Sequence, residues 1–251
     1  MTESFKTEIP KPRGLCIDLD DTLVCFDGVS ESAWRTVCAA FTRKNPGIDT
    51  ERLIAEIHSY SSWYYGDPER HEVGRNRLQE TRRDIVKVAF ERLGAGSDSQ
   101  AAEVADAYSE LRAAQIFLFP KVHETLDWIR QKGIGLSMIT NGEAHLQRAK
   151  IERFGLERHF DCILIEGELG YGKPDPRIYR DALTCLGTEI GDTWIIGDNL
   201  SWEVEIPKQL GFTCIWNDIR RSGIPEQILF LPDRVISEFT EVRNLLEEAL
   251  S

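Results

Sequence analysis

The stretch IDLDDTL, at positions 17–23, follows the apolar residues Gly14, Leu15 and Cys16, and the run GLCIDLD (14–20) predicts a buried strand. Asp18 and Asp20 stand two apart at its end, so on an extended chain their side chains project to the same side. Two neighbouring carboxylates repel, and they coexist only if a cation lies close by or one keeps its proton. Chemistry has a use for each form: an ionised carboxylate is a nucleophile and a protonated one is an acid. An isolated D-x-D before a turn more often caps or closes that turn. Its meaning therefore depends on the rest of the chain.

Four more apolar runs occur downstream: IGLSMIT (134–140), CILIE (162–166), TWIIGD (193–198) and TCIW (213–216). Helical spacing fills the intervals, with Val122, Leu126 and Ile129 before the first of these runs and Leu146, Ile151 and Phe154 after it. Gly133, Gly155, Gly187 and Gly211 stand where such helices should end in left-handed caps. Strands alternating with helices predict a doubly wound, Rossmann-like α/β core with a parallel sheet. Residues 24–117 read differently, as helix after helix with no convincing strand. Apolar stripes there (Trp34, Val37, Cys38, Phe41; Ile85, Val86, Ala89, Phe90, Leu93; Val104, Tyr108, Leu111) fit a small helical bundle packed on itself. The expected organisation is a core of residues 1–23 and 118–251 with an all-helical domain, 24–117, inserted after the first strand. Both ends of the insertion return to the core, as in a lid.

The formal net charge of −12 argues against a cationic grip on nucleic acid or an anionic membrane. The six cysteines (Cys16, Cys25, Cys38, Cys162, Cys185, Cys214) form no C-x-x-C pair, so neither a zinc site nor a disulfide framework is expected, and a reducing cytoplasm is the expected compartment. The N-terminal MTESFKTEIPKPRG is polar, without the apolar region of a secretory signal, and no apolar run reaches the roughly 20 residues of a membrane span.

The predicted strands end in polar groups at one edge of the sheet, where open parallel sheets bind ligands. After IGLSMIT come Thr140, Asn141 and Gly142, a hydroxyl, an amide and a tight turn suited to phosphoryl oxygens. After CILIE, the segment GYGKPDP brings Lys173, a compact cation. TWIIG ends at Asp198, with Glu203 five residues on.

Taken together, IDLDDTL, MITNG, GYGKPDPRIY and IIGDNLSWE resemble the four ordered motifs of the haloacid dehalogenase superfamily, in its phosphatase branch. The helical insertion is similar to that superfamily's C1-type cap, and the general look is of the phosphoglycolate phosphatase and N-acylneuraminate-9-phosphate phosphatase group. The resemblance implies that Asp18 is the nucleophile, carrying an aspartyl-phosphate, and that Asp20 is the acid and then the base. It implies that Thr140 and Asn141 hold the phosphoryl group and that Lys173 offsets charge on Asp18 and phosphate. Magnesium would be held by Asp18, Asp198 and the backbone carbonyl of Asp20, an oxygen-rich set of the kind this ion favours. A small phosphorylated metabolite is the implied substrate, acted on by a monomer or homodimer.

Glu203 departs from the family's usual Asp, so it is expected to reach the ion directly, through water, or to bond Lys173 instead. Pro207 falls early in the following helix, where only the first turn tolerates it. Between Glu69 and Lys87 six Lys/Arg face four acids, a local cationic excess in an acidic chain. An arginine from this stretch, with Arg83 as the candidate, is expected to bind an anionic substrate group; a solvated helix face is the plainer alternative. Trp63, Tyr64 and Tyr65 could wall a sugar or base, or pack as core. His71 and His145 read as non-catalytic. A metal-free dehalogenase would have no use for Asp20 as an acid; a phosphomutase shares every motif; a retired binding module should have lost one of Asp18, Asp20, Lys173 or Asp198.

Overall fold

The computed structural model describes residues 9–251; the first eight residues of the polar N-terminal stretch lie outside them. The described residues contain eight strands: β1 (Gly14–Ile17), β2 (Val24–Cys25), β3 (Phe117–Leu118), β4 (Gly135–Thr140), β5 (Cys162–Ile165), β6 (Thr193–Gly197), β7 (Thr213–Asn217) and β8 (Arg234–Ile236). Six of them form one parallel sheet in the order β5-β4-β1-β6-β7-β8. The chain builds outward from β1 to β4 and β5 on one side, then to β6, β7 and β8 on the other. This is the doubly wound α/β fold expected from the alternation of runs. β8 escapes a reading by apolar runs because it is three residues long and carries an arginine.

The core helices are α6 (Val122–Gln131), α7 (Ala144–Arg153), α8 (Glu166–Leu169), α9 (Pro176–Leu186), α10 (Ile206–Leu210) and α11 (Val242–Leu250); the insertion holds α1 (Ser30–Lys44), α2 (Thr50–Tyr65), α3 (Pro68–Arg75), α4 (Leu78–Leu93) and α5 (Asp98–Gln115). Side chains alternate across the sheet. Cys16, Ile139, Ile195 and Cys214 share one face with Ile178, Tyr179 and Ala182 of α9. Leu15, Ile17, Leu136 and Met138 occupy intervening positions and are fully buried. The four glycines expected at helix ends all have positive φ, between 58° and 100°.

β1 is shorter than predicted. Its ladder stops at Ile17, and one more bond, from the Asp18 N–H to the Ile196 carbonyl (2.9 Å), carries the chain past it. The Leu19 carbonyl then accepts from both Leu23 and Val24, and Asp21 turns the chain at a φ of 55°. The acidic residues thus form a turn beyond the strand.

By contact, the chain divides into two compact units, one of residues up to Cys25 with Leu118–Ser251, the other Phe26–Phe117. β2 and β3 pair in a separate two-stranded sheet. The second unit contains the five insertion helices around its own core, in which every residue of the three predicted stripes takes part. Trp34 stacks on Tyr108 with ring centroids 3.6 Å apart, and Phe41 on Phe90 at 5.1 Å. Asp49 and Asp67 cap α2 and α3, and Ser97 with Gln100 forms a capping box at α5.

One expectation is overturned. Cys162 of β5 and Cys185 of α9 form a disulfide, while Cys16, Cys25, Cys38 and Cys214 are buried thiols outside any disulfide. The two half-cystines are 23 residues apart and meet because α9 packs back on β5, a tertiary relation that cysteine spacing does not encode. With that bond present, cysteine usage no longer points to a reducing compartment. Among the described residues no helix is long and apolar enough to cross a membrane.

Candidate active site

β1 is flanked by β4 and β6, the strands on which the winding reverses, so its carboxyl end is the topological switch point where such sheets bind ligands. In register, Ile17 lies beside Met138 and Ile196. The residues just beyond them are Asp18 and Asp20 after β1, Thr140 and Asn141 at β4, and Asp198 after β6.

Lys173 ties this edge together. It is 2% exposed, and its Nζ donates to Asp18 Oδ1 at 2.5 Å and to Glu203 Oε1 at 2.6 Å. Burial works against the Lys173 ammonium, but the carboxylates of Asp18 and Glu203 outweigh it and hold its pKa above the ordinary lysine value. Asp18 is held above the usual carboxylate range by burial, against the pull of Lys173. Glu203 is pushed up to about 7 by burial, again opposed by Lys173 and reinforced by Asp18.

Asp20 faces a different partner. Lys150 of α7 donates to both its oxygens, at 2.7 and 2.6 Å, and Gln147 Nε2 adds a bond of 3.0 Å. The same Gln147 amide donates to Thr140 Oγ1 (2.5 Å) and to the Asn141 carbonyl (2.8 Å), so one side chain joins the ends of β1 and β4. The Asn141 side chain is spent on the main chain of Lys173: Nδ2 donates to its carbonyl at 2.6 Å and Oδ1 accepts from its N–H at 2.8 Å. That bridge fixes the Lys173 loop against β4.

On the other side, Asp198 is half-buried, and Trp216 Nε1 donates to its carbonyl at 2.8 Å. A π-helical turn, Leu200–Glu205, follows, capped by Asn199 Oδ1 on the N–H groups of Ser201 and Trp202. The wide turn buries Glu203, whose Oε2 accepts from the Asn199 N–H at 2.9 Å, and α10 then begins with Pro207 in its first turn, the place where proline is tolerated. Gly197 is required by close approach, since a Cβ there would run into the Glu203 side chain and come within 3.0 Å of the Asp18 Cβ.

Burial, together with the charges of Asp18, Glu203 and Asp21, pushes the Asp198 carboxyl up to about 9. Carboxyls therefore outnumber cations at this edge, the condition that a bound cation relieves. Among the described residues no three His, Cys, Asp or Glu side chains are arranged to hold a metal by themselves. The donor set fits a hard ion that takes one or two carboxylates and completes its shell with backbone, solvent and substrate oxygens.

Asp18, Asp20, Thr140, Asn141, Lys173, Asp198 and Glu203 thus all lie at one sheet edge. Arg83 lies in the other unit, where its Nε and Nη2 fork onto Asp106 at 2.8 and 2.7 Å. Trp63 is half-exposed beneath the Arg70 guanidinium, and His71 packs edge-on against Tyr65. Gln147 and Lys150 were not anticipated. Only the packing of α7 places them on its buried face beside Ile151, so the sequence carries no signal for them.

Residues 12–211 match the haloacid dehalogenase-like hydrolase family. Phosphoserine phosphatase of Thermus thermophilus is 36% identical over 169 residues, a match covering 67% of this chain and 66% of that protein. N-acylneuraminate-9-phosphatase of Mus musculus is 26% identical over 253 residues, 95% of each chain. The crystal structure of 2-haloacid dehalogenase from Pseudomonas syringae pv. Tomato is similar with a TM-score of 0.61 at 26% identity, covering 94% of this chain and 98% of that one. A magnesium-bound HAD-hydrolase of Bacillus subtilis shares the fold at a TM-score of 0.71 and 19% identity, over 94% and 99% of the two chains. Since the family match runs through all the strand ends that build the buried carboxylate–lysine cluster, the chain belongs to the haloacid dehalogenase-like hydrolases.

Proposed function

We propose that the chain is a magnesium-dependent phosphatase acting on a small phosphorylated metabolite, with Asp18 as the nucleophile. The reading rests above all on the contact between Asp18 and the buried Lys173, with Asp20 held by Lys150 beside them. The Asp18 carboxylate attacks phosphorus as the bond to the leaving oxygen breaks, and Asp20 supplies the proton that oxygen needs. Asp20 then takes a proton from water, whose oxygen displaces phosphate from Asp18 and restores the carboxylate. Lys150, in contact with both Asp20 oxygens, orients that group between the two steps. Lys173 offsets charge as the phosphoryl group transfers, and the Thr140 hydroxyl with the main chain at Asn141 supplies donors to its oxygens.

Asp18, Asp198 and the Asp20 carbonyl are the groups that would hold magnesium, which supplies charge neutralisation for an anionic substrate. The helical unit Phe26–Phe117 is assigned the role of a lid that selects substrate. Relatives named phosphoserine phosphatase and N-acylneuraminate-9-phosphatase support phosphoester chemistry over carbon–halogen hydrolysis. The test is a panel of phosphorylated sugars, nucleotides and small acids, assayed with magnesium against Asp18→Asn. Release of halide from a haloacid without metal, and no phosphate release, would favour the dehalogenase reading.

A further inference from the structure

We infer that Glu166 is a positioning residue for phosphoryl transfer, locking the Asn141–Gly142 peptide through which the phosphoryl cradle and Lys173 are held together; the inference rests on the phosphatase reading and adds a residue to that site. Glu166 stands at the end of β5, as the first residue of α8, and is 3% exposed. It takes no part in the steps described above. A carboxylate is seldom buried unless specific donors meet it. One such donor is the Gly142 N–H, which bonds Glu166 Oε2 at 2.9 Å in a buried contact.

That N–H belongs to a peptide group held at both ends. The carbonyl of the same group, from Asn141, accepts from Gln147 Nε2 at 2.8 Å. Glu166 of α8 and Gln147 of α7 therefore clamp one peptide plane from its two sides. The turn is held again one step on, where the Gly142 carbonyl accepts from the Gly167 N–H at 3.0 Å. Gly142 has a φ of 117°, a conformation that glycine alone adopts readily, and it has no side chain with which to anchor itself. Its orientation is left to these bonds.

The segments around Glu166 pack backbone to backbone. A Cβ at Gly167 would run into the Ala144 nitrogen, and one at Gly172 would lie 2.5 Å from Asn141 Oδ1 and 2.7 Å from the Glu166 Cβ. Gly172 precedes Lys173, whose main chain makes both bonds of the Asn141 side chain. Asn141 is thus the joint: its main chain serves the phosphoryl oxygens and its side chain holds the Lys173 loop. Locking the peptide that follows Asn141 restrains its ψ, and with it where both groups point. Without the Glu166 carboxylate the Gly142 N–H would be buried with its acceptor gone, a cost the peptide relieves by rotating.

The test uses the full-length protein with magnesium, p-nitrophenyl phosphate and the best substrate of the panel, with inorganic phosphate as a competitive inhibitor. Rates are taken per folded molecule, and thermal melts are run on every variant. Glu166→Ala should lower kcat by about 10–100-fold on both substrates alike and weaken inhibition by phosphate, the scale of penalty for small misplacements of reacting groups. Glu166→Gln should stay within about threefold of wild type, because its amide oxygen accepts the same N–H. Glu168→Gln, which alters the exposed partner of Arg148, should match wild type. A carboxylate that only supports the fold would lower the melting temperature and leave kcat and phosphate inhibition as they are. That result overturns the positioning role, as does a Gln variant as slow as the Ala variant. If Glu166→Ala does not fold, Glu166→Asp decides, since it keeps the charge but draws the oxygen back by one methylene: a slowed kcat supports the role and a wild-type kcat overturns it. None of these outcomes touches the phosphatase reading, which stands on phosphate release by wild type. If wild type cleaves no phosphoester, that reading fails and takes the positioning role with it.

Discussion

Lys173 Nζ sits 2.5 Å from Asp18 Oδ1 with both side chains buried, and its second bond, to Glu203 at 2.6 Å, makes it an ammonium shared by two buried carboxylates. Removing it strands those charges. Lys173→Met should abolish turnover and lower the stability of the fold by about 3–5 kcal/mol, the usual cost of breaking a buried pair from one side. Urea unfolding followed by circular dichroism, together with steady-state kinetics, measures both. Unchanged stability would mean that Asp18 and Glu203 take up protons at no cost.

Lys150 and Gln147 hold Asp20 from α7. If Asp20 is the acid and base, Lys150→Met should lower kcat by roughly 10–100-fold, a part of what general acid–base catalysis contributes. KM should change far less. Direct mutation, Asp20→Asn, should lie at or beyond the lower end of that activity. Equal kcat values for wild type and Lys150→Met would remove Lys150 from the mechanism.

These two lysines also mark how far the sequence can be read. Asp18, Thr140, Lys173 and Asp198 are legible because each follows an apolar run, and a parallel sheet must bring such ends to one edge. Lys150 is hidden, because a lysine on a helix is ordinarily solvated and only the packing of α7 shows that this one is buried. The same limit separates Arg82 from Arg83. Adjacent residues on a helix point about 100° apart, so a charge count over the stretch cannot tell the arginine tied to Asp106 from the one that donates to Ser109. The Cys162–Cys185 bond depends on α9 folding back on β5, and β8 on a three-residue segment that gains its identity by pairing with β7.

The excess of carboxyls around Asp198 gives a metal prediction. Activity should vanish on EDTA treatment and return with magnesium. Calcium should restore little of it, because its larger and looser shell would misplace nucleophile and phosphate. Full activity after exhaustive chelation would contradict the assignment of Asp18 and Asp198 to a cation.

The disulfide is checked by counting thiols. In denaturant without reductant, protein prepared under oxidising conditions should react with a thiol reagent at four cysteines, Cys16, Cys25, Cys38 and Cys214. Prior reduction should expose Cys162 and Cys185 as well. Six reactive thiols before reduction would show that the bond does not form.

A nucleophilic Asp18 must itself become phosphorylated during turnover. Acid quenching during turnover with magnesium, followed by peptide mass spectrometry, tests it directly. A phosphoryl mass increment is expected on the peptide carrying Asp18 and not in Asp18→Asn, which should also release no phosphate. A phosphoryl group found on another residue, or undiminished phosphate release by Asp18→Asn, would contradict it.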